Sequence, residues 1–130
     1  MDLDFNTISK EYSEKNILVI GDIILDAYIY GKIDRISQEA PVPIVAINHK
    51  EFKPGGAANV ALNLNGLGAN VTLIGIAGED SDSRKLSNCL TDFDGINREI
   101  IECGDRPTSI KTRIIADGRQ ITRLDSETTE

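Results

Sequence analysis

Residues 55–78 read GGAANVALNLNGLGANVTLIGIAG, and this stretch decides the fold. Gly55 and Gly56 carry no Cβ, so their backbone N–H groups can come close to a polar ligand, or the pair can simply turn the chain from a loop into a helix. Behind them Val60, Ala61, Leu64 and Leu67 recur at helical spacing from Ala57 to Leu67, and Gly68 supplies the stop. A helix that starts at Ala57 points the positive end of its dipole at whatever the glycines admit, which suits hydroxyls or an anion. Val71 to Ala77 is then a buried strand, and the earlier apolar run Ile17 to Gly21 reads as a first strand covered on both faces. Strand, helix and strand in that order form a right-handed β-α-β unit of an α/β fold with a mainly parallel sheet.

Between the first strand and the glycine pair, Tyr28 to Tyr30 and Pro43 to Asn48 are extended, joined by a polar, proline-bearing link through Ser37 to Pro43. They follow the first strand too soon to leave room for a crossover helix, so they are expected to form a small side sheet or flap. Downstream, Asp80 or Ser81 can cap a helix that runs to about Leu90 and ends at Asp94-Gly95, and Arg98 to Cys103 is a third strand. Asp117-Gly118, between Thr108–Ala116 and Arg119–Leu124, is the dipeptide that a tight hairpin turn prefers. The first residues, Met1 to Phe5, are expected to be a short helix or a loose arm, and residues 1–130 are taken as one structural unit.

A net charge of −7 works against non-specific binding of nucleic acid, which needs many phosphate contacts. No apolar run approaches the roughly 20 residues that span a bilayer, and the N-terminus lacks a basic and apolar export signal, so a cytoplasmic location is expected. Cys89 and Cys103 stand apart from any metal-ligand spacing and read as two free thiols; no metal site is expected. His49, the only histidine, receives no role.

Asp22 and Asp26 follow the first strand, where the carboxyl ends of an open α/β sheet form a ligand crevice. Carboxylates there can accept hydrogen bonds from sugar hydroxyls or can cap nearby backbone. Arg35, Lys111, Arg113 and Arg123 are the candidates for meeting a phosphate on an otherwise acidic chain. Alternation puts Lys111 and Arg113 on one strand face, either around a shared target or as solvated surface. A dinucleotide-binding fold is disfavoured, because Gly66-Leu-Gly68 ends a helix and does not lead from a strand into one.

The glycine pair, Asn59, Ala61, Gly68 and Gly78 together resemble the first signature of the ribokinase-like (PfkB) carbohydrate kinases. Within that family the stretch from Arg35 to Val45, with Gly21–Asp26, Gly55–Ala61 and Pro107–Arg113, is similar to the heptose-7-phosphate kinases of the lipopolysaccharide-core heptose pathway. The resemblance covers roughly Ile17 to Asp125. It implies the N-terminal part of a three-layer fold, in which Asp22, Asp26, Gly55, Gly56 and Asn59 contact the sugar. It also implies that segments at about 27–48 form a lid, and that lids pair between subunits into a homodimer. The implied reaction is ATP-dependent phosphorylation of the anomeric hydroxyl of a sugar phosphate, with Mg²⁺.

Phosphoryl transfer also needs a base and an anion hole. In the family these belong to a second signature, Gly-Ala-Gly-Asp, in a C-terminal nucleotide-binding half, and no such motif occurs here. Ala77-Gly-Glu-Asp80 looks similar to it but follows the second core strand, so no catalytic residue is assigned and Asp80 is left out. The 130 residues alone are expected to bind neither ATP nor Mg²⁺, to show negligible turnover, and to expose an apolar strand edge and a helix-free sheet face. A non-catalytic sugar-binding or dimerisation module, or a kinase of a different sugar in the same family, is the alternative.

Overall fold

The computed structural model describes residues 4–128, and within them ten elements follow in order. These are α1 (Phe5–Ser13), β1 (Asn16–Ile20), β2 (Ile23–Ile36), β3 (Pro43–Gly56), α2 (Ala57–Gly66), β4 (Asn70–Gly78), α3 (Ser81–Leu90), β5 (Ile96–Cys103), β6 (Ser109–Ala116) and β7 (Arg119–Ser126). The N-terminal expectation for Met1 to Leu3 lies outside the described residues. From Phe5 the chain is helical, with the Asp4 carboxylate accepting from the Asn6 N–H at its start.

Two sheets form. The first is parallel throughout, in the order β1-β4-β5, with Val19 opposite Leu73 and Val71 opposite Ile96. Both crossovers proceed in the same direction along this sheet, so right-handedness sends α2 and α3 to the same face. There Val71 and Leu73 pack with Ala58 and Ala61 of α2, Leu86 and Leu90 of α3, and Ile23 and Leu25 of β2. Each fully buried leucine in such a cluster stabilises the fold by about 1.5–3 kcal/mol.

The opposite face has no helix over it among the described residues. Leu18 is 56% exposed, Ile20 69%, Ile76 42% and Ile101 57%. The expectation that the first strand is covered on both faces is therefore corrected: β1 is covered on one, and the helix-free face foreseen for this length of chain is present. An isoleucine-rich run cannot by itself reveal whether its second cover lies in the same 130 residues.

The second sheet is larger than the flap expected from the sequence. Its order is β3-β2-β6-β7; β2 pairs antiparallel with β3 over most of their lengths and parallel with β6. The short strands foreseen at Tyr28–Tyr30 and Pro43–Asn48 are the middle of one 14-residue strand and the start of another, and only Ser37 to Val42 remain as the connecting loop. The hairpin at Asp117-Gly118 forms as expected, with φ of 51° and 77°, a primed-turn conformation. Its membership in the side sheet was not foreseen, because strand partners are fixed by tertiary packing and not by local pattern. The third strand starts at Ile96, two residues earlier than expected, since Ile96 is buried opposite Val71.

Candidate functional site

The glycine pair ends β3 and leads straight into α2. Gly56 has φ 56°, and a Cβ there would fall 2.3 Å from the Asp22 carbonyl oxygen. That carbonyl accepts the Ala57 N–H at 2.9 Å, which pins the end of β1 to the first turn of the helix. A Cβ on Gly55 would lie 2.5 Å from the Asp26 carboxylate. The absent side chains thus admit this chain's own Asp22 carbonyl and Asp26 carboxylate, a packing reason for glycine that stands beside the ligand reason.

The two full crossover helices start differently. Asp80 caps α3, accepting from Asp82 N–H at 3.0 Å, Ser83 N–H at 2.8 Å, Thr108 N–H at 2.8 Å and Thr108 Oγ1 at 2.8 Å. Burial alone would raise the Asp80 pKa, but these hydrogen bonds outweigh it and hold the carboxyl at about 2. Asp80 is therefore a cap and a clamp on the β5–β6 connection. At α2 the cap is Gly56, with no side-chain hydrogen bond, so the first-turn N–H groups beyond Ala57 have no capping side chain. Asn59 sits exposed in this first turn, and Asp22 is exposed at the end of β1. A cavity of about 350 Å³ at the carboxyl ends of β1 and β4 is lined by Gly21, Asp22 and Gly75 together with Ile20, Ile74, Ile76 and Ile101. Its isoleucine lining belongs to the uncovered sheet face, so of its residues only the Asp22 side chain offers a sugar a charged acceptor.

The side sheet carries the remaining candidates in cross-strand ranks on one face. Lys53, Asp26, Lys111 and Asp125 are paired neighbours across the four strands, and Glu51, Tyr28, Arg113 and Arg123 form the next rank. Arg113 Nη1 donates to Asp26 Oδ1 at 2.6 Å, with the two side chains 21% and 19% exposed. Lys111 pairs with Asp125 at 3.2 Å and Glu127 at 3.4 Å, and Arg123 Nε donates to Asp125 at 2.8 Å. The hydrogen bond to Asp26 raises the Arg113 pKa, and that to Asp125 raises the Lys111 pKa. Lys111 and Arg113 do share a face, as alternation implied, but each is engaged by a carboxylate and neither stands as a free cation.

Arg35 is apart from the rest. It lies exposed near the far end of β2, about 40 Å along the strand from Ile23 at roughly 3.3 Å per residue. It borders a separate surface hollow with Ser37, Gln38 and Glu39. Within one chain it does not join Asp22 and the glycine pair.

Sequence reasoning passed over the aromatic residues of this face. Tyr28 lies between its strand neighbours' cations, with Lys53 Nζ 5.3 Å and Arg113 Cζ 5.1 Å from the ring centroid. Tyr30 stacks on His49 with centroids 4.5 Å apart. Their even spacing with Asp26 on β2 was the available signal. Among the described residues no cluster of His, Cys, Asp and Glu could hold a metal ion, and no helix is long and apolar enough to cross a membrane.

The family model described as pfkB family carbohydrate kinase matches residues 14–129. Among curated proteins, the chain is 44% identical over 125 residues to a bifunctional protein HldE of Koribacter versatilis, covering 96% of this chain and 26% of that protein. It is 47% identical over 123 residues to the bifunctional protein HldE of Coxiella burnetii, covering 91% and 25%. Among solved structures, a carbohydrate kinase from Agrobacterium tumefaciens superposes with a TM-score of 0.70 at 26% identity, covering 86% of this chain and 35% of that one. The chain thus spans about a quarter of the length of the curated relatives it matches and about a third of that solved kinase.

Proposed function

The chain belongs to the pfkB family of carbohydrate kinases, and from that premise we propose that residues 1–130 are the sugar-binding and lid part of an ATP-dependent heptose-7-phosphate kinase. The intact enzyme would place a phosphoryl group on the anomeric oxygen, in the route to ADP-heptose and lipopolysaccharide core. The observation that carries the reading is the Ala57 N–H to Asp22 carbonyl bond, which holds the uncapped start of α2 beside an exposed carboxylate at the end of β1. Asp22 accepts hydrogen bonds from hydroxyls there, Asn59 offers both a donor and an acceptor, and the helix N-terminus favours partial negative charge. The ranks of the side sheet supply Asp26 for a further hydroxyl and Arg113, Lys111 and Arg123 for the sugar's phosphate. The similarity to the two HldE proteins and the quoted stretch from Arg35 to Val45 support a heptose over other sugars.

In this reading ATP and Mg²⁺ serve the intact enzyme and occupy a C-terminal half, while Asp22, Asn59 and the glycine turn orient the acceptor. The protein works in the cytoplasm as a homodimer joined through the lid, which gives Arg35, at the lid's far end, a place to act against a second copy. These 130 residues alone bind the sugar phosphate without turning it over. The test is a paired measurement with heptose 7-phosphate, ATP and Mg²⁺: a rise in melting temperature with sugar phosphate, and no ADP released above background. ADP release at ordinary kinase rates would overturn the division of labour, and no thermal stabilisation by any sugar phosphate would overturn the binding role.

A further inference from the structure

Of the three phosphate candidates on the side sheet's charged face, Arg113 alone is held by a carboxylate that is itself a candidate sugar ligand. Lys111 and Arg123 share Asp125, and a phosphate that took either would have to compete with that acid. Moving Arg113 from Asp26 to a phosphate has a different outcome. The guanidinium keeps an anionic partner, and the freed Asp26 carboxylate gains a hydroxyl donor from the same sugar, so every group stays paired. Gly55 has no side chain to displace the Asp26 carboxylate, which sits where a Cβ on Gly55 would be.

Resting on the sugar-phosphate reading above, we infer that Tyr28 is a positioning residue, the pivot on which Arg113 exchanges Asp26 for the substrate's phosphate. The ring is directly paired across β2 and β6 with Arg113, whose Cζ is 5.1 Å from its centroid, and Lys53 approaches the same ring from β3 with Nζ at 5.3 Å. A guanidinium over a tyrosine ring is attracted through the ring's quadrupole without using any of its five N–H donors. The ring can therefore retain Arg113 while its donors change acceptors. Lys53 is 60% exposed and its other partner is Glu51 at 3.5 Å, a surface pair that leaves the ammonium free to follow an incoming anion. Stacking of Tyr28 near Tyr30, with centroids 6.4 Å apart, limits the ring's own movement. Because the ring and not the phenol does the holding, phenylalanine serves at this position and an aliphatic side chain does not.

The experiment is titration calorimetry on the 130-residue chain with heptose 7-phosphate and with the same heptose lacking phosphate. Four proteins are compared: the unaltered chain, Tyr28→Phe, Tyr28→Leu and Arg113→Lys. Tyr28→Leu should weaken the phosphate ester's binding roughly tenfold and leave the free sugar's affinity unchanged, so that the ratio between the two falls. Tyr28→Phe should keep the ratio. Arg113→Lys, which retains the charge but not the planar fork, should lower it even if Tyr28→Leu does not fold. Equal losses for both sugars, or a Tyr28→Phe variant as impaired as Tyr28→Leu, overturn the pivot while leaving the sugar-phosphate reading intact. An unaltered chain that binds neither sugar overturns both.

Discussion

At Gly56 the backbone takes φ 56° with the Asp22 carbonyl where a Cβ would be, whereas at Gly66, also adjoining α2, nothing lies within 4 Å of a built Cβ. Two glycines at opposite ends of one helix therefore respond oppositely. Gly66→Ala should raise stability by about 0.4–1 kcal/mol through reduced freedom of the unfolded chain, while Gly56→Ala should lower it by about 1–3 kcal/mol, as read from urea denaturation midpoints. Equal effects would show that the turn is not under the constraint described. Asp80 gives a second prediction on the same scale. Asp80→Ala removes a helix cap and leaves the Thr108 donors without their acceptor, and should cost about 2–3 kcal/mol. Its folded pKa, about 2, lies below the reference 3.8, so the folded state binds the proton less well than the unfolded chain does. This contribution is complete above about pH 4 and disappears as the pH falls toward 2. Midpoints compared at pH 5 and pH 2.5 should show a larger acid loss for the unaltered chain than for Asp80→Asn; the same loss in both would contradict the cap's role as an ionised acceptor.

The elements differ in how much of them could be read from residues alone. The strand-helix-strand unit was legible because Val60, Ala61, Leu64 and Leu67 keep one helical stripe between glycine stops, and because β1 and β4 are bounded apolar runs. The Asp117-Gly118 hairpin was legible because few dipeptides tolerate two successive positive φ values. The lengths of β2 and β3 were not. Asp26, Glu51 and Lys53 interrupt the apolar alternation, and only pairing across the sheet shows that such residues sit on a charged face and not in loops. Of the site, Asp22 and the glycine pair followed from their position at strand and helix ends, but the Asp26 to Arg113 pair spans 87 positions of sequence and could not be read locally. Beyond Ala116 and Arg119, where β6 ends and β7 begins, β2 and β3 continue as a two-stranded tip that exposes Ile36, Val42 and Ile47. Two strands alone are marginal in water, and a second copy packed on this tip would cover those residues. Ile36→Asp together with Ile47→Asp should convert a dimer into a monomer in sedimentation equilibrium at micromolar concentration; an unaltered chain that is monomeric there would contradict the lid-mediated dimer.

For the molecule as a whole, the geometry divides into a half-covered parallel sheet and a projecting side sheet, joined where the β1–β2 connection meets the glycine turn. The core lies on one side only, and the other side of the parallel sheet exposes Leu18, Ile20, Ile76 and Ile101. The Asp22 carbonyl holds the helix start, the Asp22 residue is exposed, and the charged ranks of the side sheet begin at Asp26. A sugar phosphate held between these parts would touch both sheets at once, and its binding should depend on residues from each. Titration calorimetry of heptose 7-phosphate against the unaltered chain, Asp22→Ala and Asn59→Ala measures this most directly. The account predicts saturable one-to-one binding that weakens at least tenfold in each variant while their melting temperatures stay within a few degrees of the original. Saturable binding with the same affinity in all three proteins, or no saturable binding by the unaltered chain, would contradict it.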